Sequence, residues 1–397
     1  MKKLFALSLY TTFLLSCNNT FVSEKKLESY VKLRSETFSL KEQRELMPNT
    51  LFKAVIDEKE PEILKQIIDE NGEYLLAKNK EGDTPLGLAI QWSSLETALF
   101  IAKQMSPQYY QHQNNKGESY LYLASQKGFI ELIQSLANGF YEKQKGFFND
   151  YEFTDLDLLT DKGERALHVA KNSSVANTLL EEYNRGFLEY PLRKFKYLQN
   201  KEGQTFLHTA VRDENEDLLR WGIEKVCYKS EDTVNYIWQG LQNIATFIDM
   251  DFDNLLNTQD NQGLTALNLA SKNRYLTGIH ILSSCTWSDY LLKDSEGNIP
   301  LQNFLLSLDP YELNYDQKTK DIFSRLISKN TLLAFNEDFS KTIDSLNNKG
   351  ESSMHLAAKL NDSFFYKELE KYGSVDLKNQ EGQTPRGLFK AQQQILN

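Results

Sequence analysis

Residues 200–210 read NKEGQTFLHTA. Taken alone, the stretch invites a chemical reading: Glu202 stands near His208, Thr205 lies between them, and Gly203 turns the backbone. Repetition answers the question. Residues 79–89 read NKEGDTPLGLA, 114–124 NNKGESYLYLA, 160–170 TDKGERALHVA, 260–270 DNQGLTALNLA, 294–304 DSEGNIPLQNF, 347–357 NNKGESSMHLA and 379–389 NQEGQTPRGLF. A version without the glycine, LMPNTLFKA, occupies 46–54. Self-similarity of this kind marks a repeat architecture. The imidazole at 208 is therefore part of a unit before it is a candidate catalyst.

Each position of the unit has a physical job. Gly82, Gly117, Gly163, Gly203, Gly263, Gly297, Gly350 and Gly382 supply the positive φ of a tight turn. The Thr or Ser two residues later suits a helix N-cap, and Pro suits the first helical turn. Leu, with Ala three residues on, shares one helical face. Further apolar runs follow, FIELIQSLA at 129–137, EDLLRWGIE at 216–224 and YLTGIHILSS at 275–284, at helical spacing. The unit is thus turn, helix, short loop, helix.

This pattern resembles the ankyrin repeat, whose motif is G-x-T-P-L-H-x-A in a unit of about 33 residues. The nearest matches are Gly82-Asp83-Thr84-Pro85-Leu86 and Gly203 to Ala210. The resemblance implies an all-α ankyrin-repeat solenoid of about nine helix-turn-helix units with helical insertions, over 45–397. The glycines are 35, 46, 40, 60, 34, 53 and 32 residues apart. The longer gaps place insertions, or extensions of the second helix, near 139–159, 182–199, 227–256 and 309–346. Their apolar residues at helical spacing predict extra helices that either bind or only pack.

The N-terminus, MKKLFALSLYTTFLLSCNN, has Lys2 and Lys3 before an apolar stretch ending at Leu15. That stretch is short of the ~20 residues a membrane-spanning helix needs, and suits a signal peptide. Leu14-Leu15-Ser16-Cys17 resembles the bacterial lipobox, although Leu15 departs from the usual small or β-branched residue. The resemblance implies a signal peptide at 1–16, lipidation of Cys17, and a tether with a short entry helix at 17–44. Asn18 after the cysteine points to the outer membrane facing the periplasm of a bacterial envelope, with the membrane reached through an N-terminal lipid only.

Composition narrows the partners. Hydrophobic residues at 40% and charged residues at 25% suit a folded chain. A formal charge of −10 opposes nucleic acid as a partner, since binding it needs Lys and Arg on phosphates. There is no G-x-S-x-G, H-E-x-x-H, P-loop or G-x-G-x-x-G. Ser23 and Lys26 match S-x-x-K only formally, in the tether. No cofactor and no metal is expected.

His168, His208 and His355 share one repeat position, and the resemblance implies that they hold adjacent units in register. Equivalent positions in stacked helices lie about 8–10 Å apart, too far to share a metal at bonds of ~2 Å. Cys227 and Cys285 lie in neighbouring units. They are either buried thiols or, if the offset closes the gap, a disulfide.

The resemblance also implies a concave groove lined by turn tips and first helices. Its contact positions correspond to Lys80, Glu81, Asp83, Gln91 and Trp92; then Lys116, Glu118 and Lys127; Lys162 and Glu164; and Lys201, Glu202, Gln204 and Arg212. These mix both charges. Trp92 is either an exposed interface anchor or packed on a neighbour. The expected function is a monomeric, non-enzymatic, lipid-anchored binder of another protein, as a scaffold or an inhibitor of a periplasmic enzyme. The alternatives are a hydrolase or carbohydrate-binding protein with its site on the insertions, and an effector delivered to a host.

Overall fold

The computed structural model describes residues 51–70, 72–144, 158–185, 199–225, 252–285, 288–332 and 343–396. The signal sequence, Cys17, the tether and Cys227 lie outside the described residues, as does most of each expected insertion before 257. Among the described residues every regular element is helical, and the single β-bridge pairs Gln113 with Ser119.

The units form two parallel series. First helices run Pro85–Trp92, Tyr120–Lys127, Phe206–Arg212, Ala266–Lys272, Pro300–Leu306, Ser353–Ala358 and Pro385–Leu396, with a short 3₁₀ turn, Ala166–Val169, in the Gly163 unit. Each of these packs against the next in chain order. Second helices include Leu95–Gln104, Ile130–Gln144, Ser173–Arg185, Leu276–Leu282, Gln317–Leu332 and Ser363–Leu369. They pack on their own first helix or on the neighbouring second helix. The result is a solenoid-like stack in which sequence neighbours are spatial neighbours.

Local chemistry starts each first helix where the sequence places it. The hydroxyls of Thr84, Ser119 and Thr265 accept hydrogen bonds from N–H groups in the first turn. An N-cap of this kind stabilises a helix by about 1 kcal/mol. Pro85 and Pro300 occupy first-turn positions that lack an intrahelical N–H partner anyway.

Two columns of side chains knit the stack. Leu86, Leu121, Leu167, Leu207, Leu267, Leu301 and Met354 are buried at one repeat position. Three residues on, Ala89, Ala124, Ala170, Ala210, Ala270 and Ala357 are buried too. A methyl group there lets helices approach closely. In the Gly297 unit the same position is Phe304, which stacks on Phe323 with ring centroids 6.4 Å apart. Phe323 in turn meets Phe365 edge-on at 4.9 Å. The last unit has Arg386 in the leucine position, exposed and 3.5 Å from Asp376.

Part of the added length is extension of second helices. Ile130–Gln144 and Ser173–Arg185 run on into the expected insertions. In the 309–346 region, Gln317–Leu332 packs between Leu276–Leu282 and Ser363–Leu369, so it is the second helix of its unit, lengthened, and not an added one. Loop 309–316 precedes it.

Candidate functional site

The surface built by repetition is the row of turns. Three residues before each glycine stands a short polar side chain: Asn79, Asn114, Thr160, Asn200, Asp260, Asp294, Asn347 or Asn379. In the Gly203 unit, Asn200 Oδ1 accepts from the N–H groups of Glu202 (3.0 Å) and Gln204 (2.8 Å). The Gly203 N–H donates to the Asn200 carbonyl at 2.9 Å. The same clasp recurs at Asp260, Asp294, Asn347 and Asn379. Gly203 has φ +76°, and a Cβ there would lie 2.7 Å from Asn261 Oδ1 and 2.8 Å from its backbone nitrogen. Glycine is required for both reasons.

The clasps are joined into a ladder. N–H groups of Asn115, Asp161, Lys201, Asn261, Ser295 and Asn348 donate to the carbonyls of Glu81, Lys116, Lys162, Glu202, Gln262 and Glu296, at 2.8–2.9 Å. Asn115, Asn261, Asn348 and Gln380 add side-chain amide bonds to the preceding tip. Gln113, Gln199 and Gln259 each tie a turn to the next one. Backbone bonding thus passes from unit to unit without a β-sheet.

The three equivalent histidines are part of this ladder. His208 Nδ1 accepts from the Thr205 N–H at 3.2 Å, and its Nε2 lies 2.9 Å from the Leu264 carbonyl. His168 bridges Arg165 and Gln204, and His355 bridges Ser352 and Gln383. A carbonyl partner requires Nε2–H, so the rings are neutral with Nδ1 as acceptor. Burial lowers the pKa of His208 and of His355, only partly opposed by their backbone hydrogen bonds. Gln302 does the same work in the Gly297 unit: its Oε1 accepts from the Ile299 N–H at 3.0 Å, and its Nε2 donates to the Glu351 carbonyl at 3.1 Å. Sequence reasoning misses Gln302, although its repeat position marks it.

His112 has another place: its ring bonds the Gly82 carbonyl at 2.8 Å and tilts against Tyr120. His280 is exposed on a second helix, and burial and nearby Arg325, Arg220 and Lys318 lower its pKa. Glu202 is an exposed tip residue, while His208 is buried and committed to backbone. They form no acid–base pair.

The expected groove residues divide into two groups. Lys80, Glu81, Lys116, Lys127, Lys162, Lys201 and Glu202 are exposed, and Gln204 is half-buried. Trp92 is 68% exposed among the described residues. Asp83 and Glu164, however, are only 6% and 4% exposed, which removes them from the contact surface. Asp83 Oδ1 accepts from Gln91 (3.0 Å) and Asn114 (2.9 Å). Glu164 Oε2 accepts from the Tyr122 hydroxyl at 2.8 Å, and its Oε1 accepts from Arg212 at 3.2 Å. Glu118 is half-buried against Asn114. These carboxylates hold the bases of the turns because a buried charge must find hydrogen-bond partners. Burial first, then the bond to Glu164, push the Tyr122 hydroxyl well above its usual range. Arg212 is committed to Asp213 and Glu164, and its pKa is raised chiefly by the Asp213 bond.

Among the described residues, no group of three or more His, Cys, Asp or Glu could hold a metal ion. No described helix is long and apolar enough to cross a membrane. Cys285 is buried and disulfide-bonded. The arrangement presents exposed polar tips and one large aromatic side chain above a hydrogen-bonded base, in which Asn268 Oδ1 is left without a partner.

No family model matches the chain, and no curated protein does. Among solved structures, the ankyrin repeat domain of Bcl-3, titled a unique member of the IkappaB protein family, is 19% identical. The match covers 69% of this chain and 97% of that one, with a TM-score of 0.39.

Proposed function

We propose that the chain is an ankyrin-repeat protein of about nine units that binds another protein and catalyses nothing. The observation that supports it best is the turn ladder. It commits His168, His208 and His355 to backbone and surrounds the buried carboxylates Asp83 and Glu164 with hydrogen-bond donors, and leaves Lys80, Lys116, Lys162, Lys201 and Glu202 exposed in register. Rigid presentation of this kind lowers the ordering cost of binding. Fold alone does not choose the target.

In this reading residues 1–16 are a signal peptide, Cys17 carries lipid, and the solenoid stands on the periplasmic face of a bacterial outer membrane. There it is a scaffold or an inhibitor of a periplasmic enzyme. Cys227 is the proposed partner of Cys285. The Cys17 resemblance supports the anchor, and palmitate labelling lost in Cys17→Ser tests it.

The binding reading is tested by placing a photocrosslinking residue at Lys201 on the tips, and at Arg220 on a second helix, in the full chain. A stoichiometric protein adduct at 201 and none at 220 is expected. Adducts at 220 alone, or turnover of wall glycan by the isolated protein, would overturn the proposal.

A further inference from the structure

Loop 309–316 joins Pro300–Leu306 to the long helix Gln317–Leu332 and is fastened on both sides. Within it, the Asp309 carbonyl accepts from the Glu312 N–H (3.2 Å) and from the Tyr315 hydroxyl (2.6 Å). Asp309 Oδ1 accepts from the Tyr311 N–H at 2.9 Å. From the following unit, the Asn361 N–H donates to the Pro310 carbonyl at 3.0 Å, and Asp362 Oδ2 accepts from the Tyr315 N–H at 3.1 Å. From the preceding unit, Arg274 lies 3.9 Å from Glu312 and 5.1 Å above the Tyr315 ring.

This frame treats two tyrosines in opposite ways. Tyr315 is buried, whereas Tyr311 is 80% exposed and Leu313 66%. Leu306, at the end of the preceding helix, is exposed as well. Among the described residues, none covers these side chains. A fixed aromatic tip is the kind of group that anchors an interface, since little freedom is lost on docking.

Charge selects the occupant. Arg274 is taken by Glu312, and Lys320 by Asp362 at 3.1 Å. Among the described residues 309–321 that leaves Asp309, Asp316 and Asp321 exposed against one exposed cation, Lys318. The tip is acidic on a chain whose formal charge is already −10. Anionic bilayers and nucleic acid are repelled by it.

We propose that Tyr311 and Leu313 are the anchors of a second docking surface, apart from the turn tips, whose occupant is a protein presenting an apolar pocket rimmed by lysine or arginine. The rim meets Asp309 and Asp321 while the pocket takes the ring and the leucine. In this proposal the described residues 309–332 divide: Phe323, Leu326 and Ile327 pack, and the loop ahead of them binds.

The test uses the full chain and a fluorescent amphipathic helical peptide of leucine and lysine, which displays an apolar face flanked by cations. Its controls are the leucine–glutamate peptide and a lysine–serine peptide of equal charge. Expected is saturable binding of the leucine–lysine peptide alone, weakened about tenfold or more by the double change Tyr311→Ala, Leu313→Ala with the helical circular dichroism unchanged. Asp309→Asn with Asp321→Asn, which keeps one oxygen acceptor at each position for the Tyr311 N–H and the Gln317 amide, also weakens binding, and its deficit against the parent grows as salt is lowered. Equal binding by the double alanine variant, by the leucine–glutamate peptide, or by the lysine–serine peptide overturns the proposal. So does Tyr311-dependent binding to phosphatidylcholine vesicles in place of the peptide. Crosslinking at Lys201 is read in the same variants, and its persistence shows that only the second surface has failed.

Discussion

His208 Nε2 sits 2.9 Å from the carbonyl oxygen of Leu264, a residue 56 positions along the chain yet in the next unit of the stack. The same ring accepts the Thr205 N–H at 3.2 Å. One side chain therefore closes the helix start of its own unit and fixes the turn of its neighbour.

His208→Ala leaves the buried Thr205 N–H without its acceptor and opens a cavity. The expected loss is about 2–4 kcal/mol. The Leu264 carbonyl keeps its bond from the Asp260 N–H, which limits the damage. His208→Gln is expected to lose no more than about 1 kcal/mol, because Gln302 already makes both bonds in the Gly297 unit. Chemical denaturation, with amide exchange at Thr205 as a local probe, separates the two. Equal losses in both variants would exclude the bridge as the reason His208 is needed.

Stability should fall in mild acid. The folded-state pKa values of His208 and His355 lie below that of a free imidazole, about 6.5, because burial disfavours the charged ring. The unfolded chain therefore takes up protons first. The stabilisation is full above about pH 6.5 and is lost as pH falls toward the folded-state values, by at most about 1.4 kcal/mol per pH unit for each ring. Replacing both with Gln should flatten the melting temperature between neutral pH and mild acid. An unchanged slope would mean that other groups carry the acid sensitivity.

Two glycines with the same backbone conformation separate strain from crowding. Gly203 has φ +76° and is pressed against Asn261, while Gly382 has φ +74° and open space for 4 Å around the point where a Cβ would stand. Gly382→Ala is expected to cost only the left-handed conformation, about 1–2 kcal/mol. Gly203→Ala adds a clash with backbone and should cost roughly twice that, with loss of exchange protection at Asn261. Equal costs would show that the ladder yields easily at this junction.

Asn268 stands where His208, Gln302 and His355 stand in their units, but its Oδ1 is buried without a partner. Its side chain donates instead to the Leu292 carbonyl at 3.1 Å. Asn268→Gln adds the length that Gln302 uses, and should stabilise the Gly263 unit by about 1 kcal/mol. A lowered melting temperature would show that the site cannot take the extra methylene.

The helical pairs and the turn glycines were legible in the sequence, because each is a backbone requirement repeated in register, while the role of the three equivalent histidines was what the resemblance of the unit implied. The short polar residue three positions before each glycine, Asn or Asp in seven units and Thr160 in the other, repeats as regularly, but its clasp on the turn emerged only from the structure. What could not be read was which charges face water. Asp83 and Glu164 carry the same side-chain chemistry as Glu81 and Glu202, and only the partner atoms of Asn114, Tyr122 and Arg212 tell them apart. Spacing likewise placed extra residues after 309 without saying that Tyr315 is buried and Tyr311 is not. That difference comes from contacts with Asn361, Asp362 and Arg274, in two different neighbouring units.

Two tryptophans test whether exposure separates binding from folding. Trp221 is buried, meets Phe206 at 5.6 Å and donates from its indole N–H to Asn177 Oδ1 at 2.8 Å. Trp221→Ala should cost about 3–5 kcal/mol through lost packing and an empty cavity. Trp92 lies at the end of Pro85–Trp92 with most of its surface in water, so Trp92→Ala should change stability by less than about 0.5 kcal/mol. If the first helices line a protein-binding groove, the same change should weaken capture at the Lys201 crosslinking position about tenfold or more, since an exposed tryptophan is a common anchor. Crosslinking that survives Trp92→Ala unchanged would confine the contact to the turn tips. A large loss of stability would instead mean that the indole is covered in the full chain.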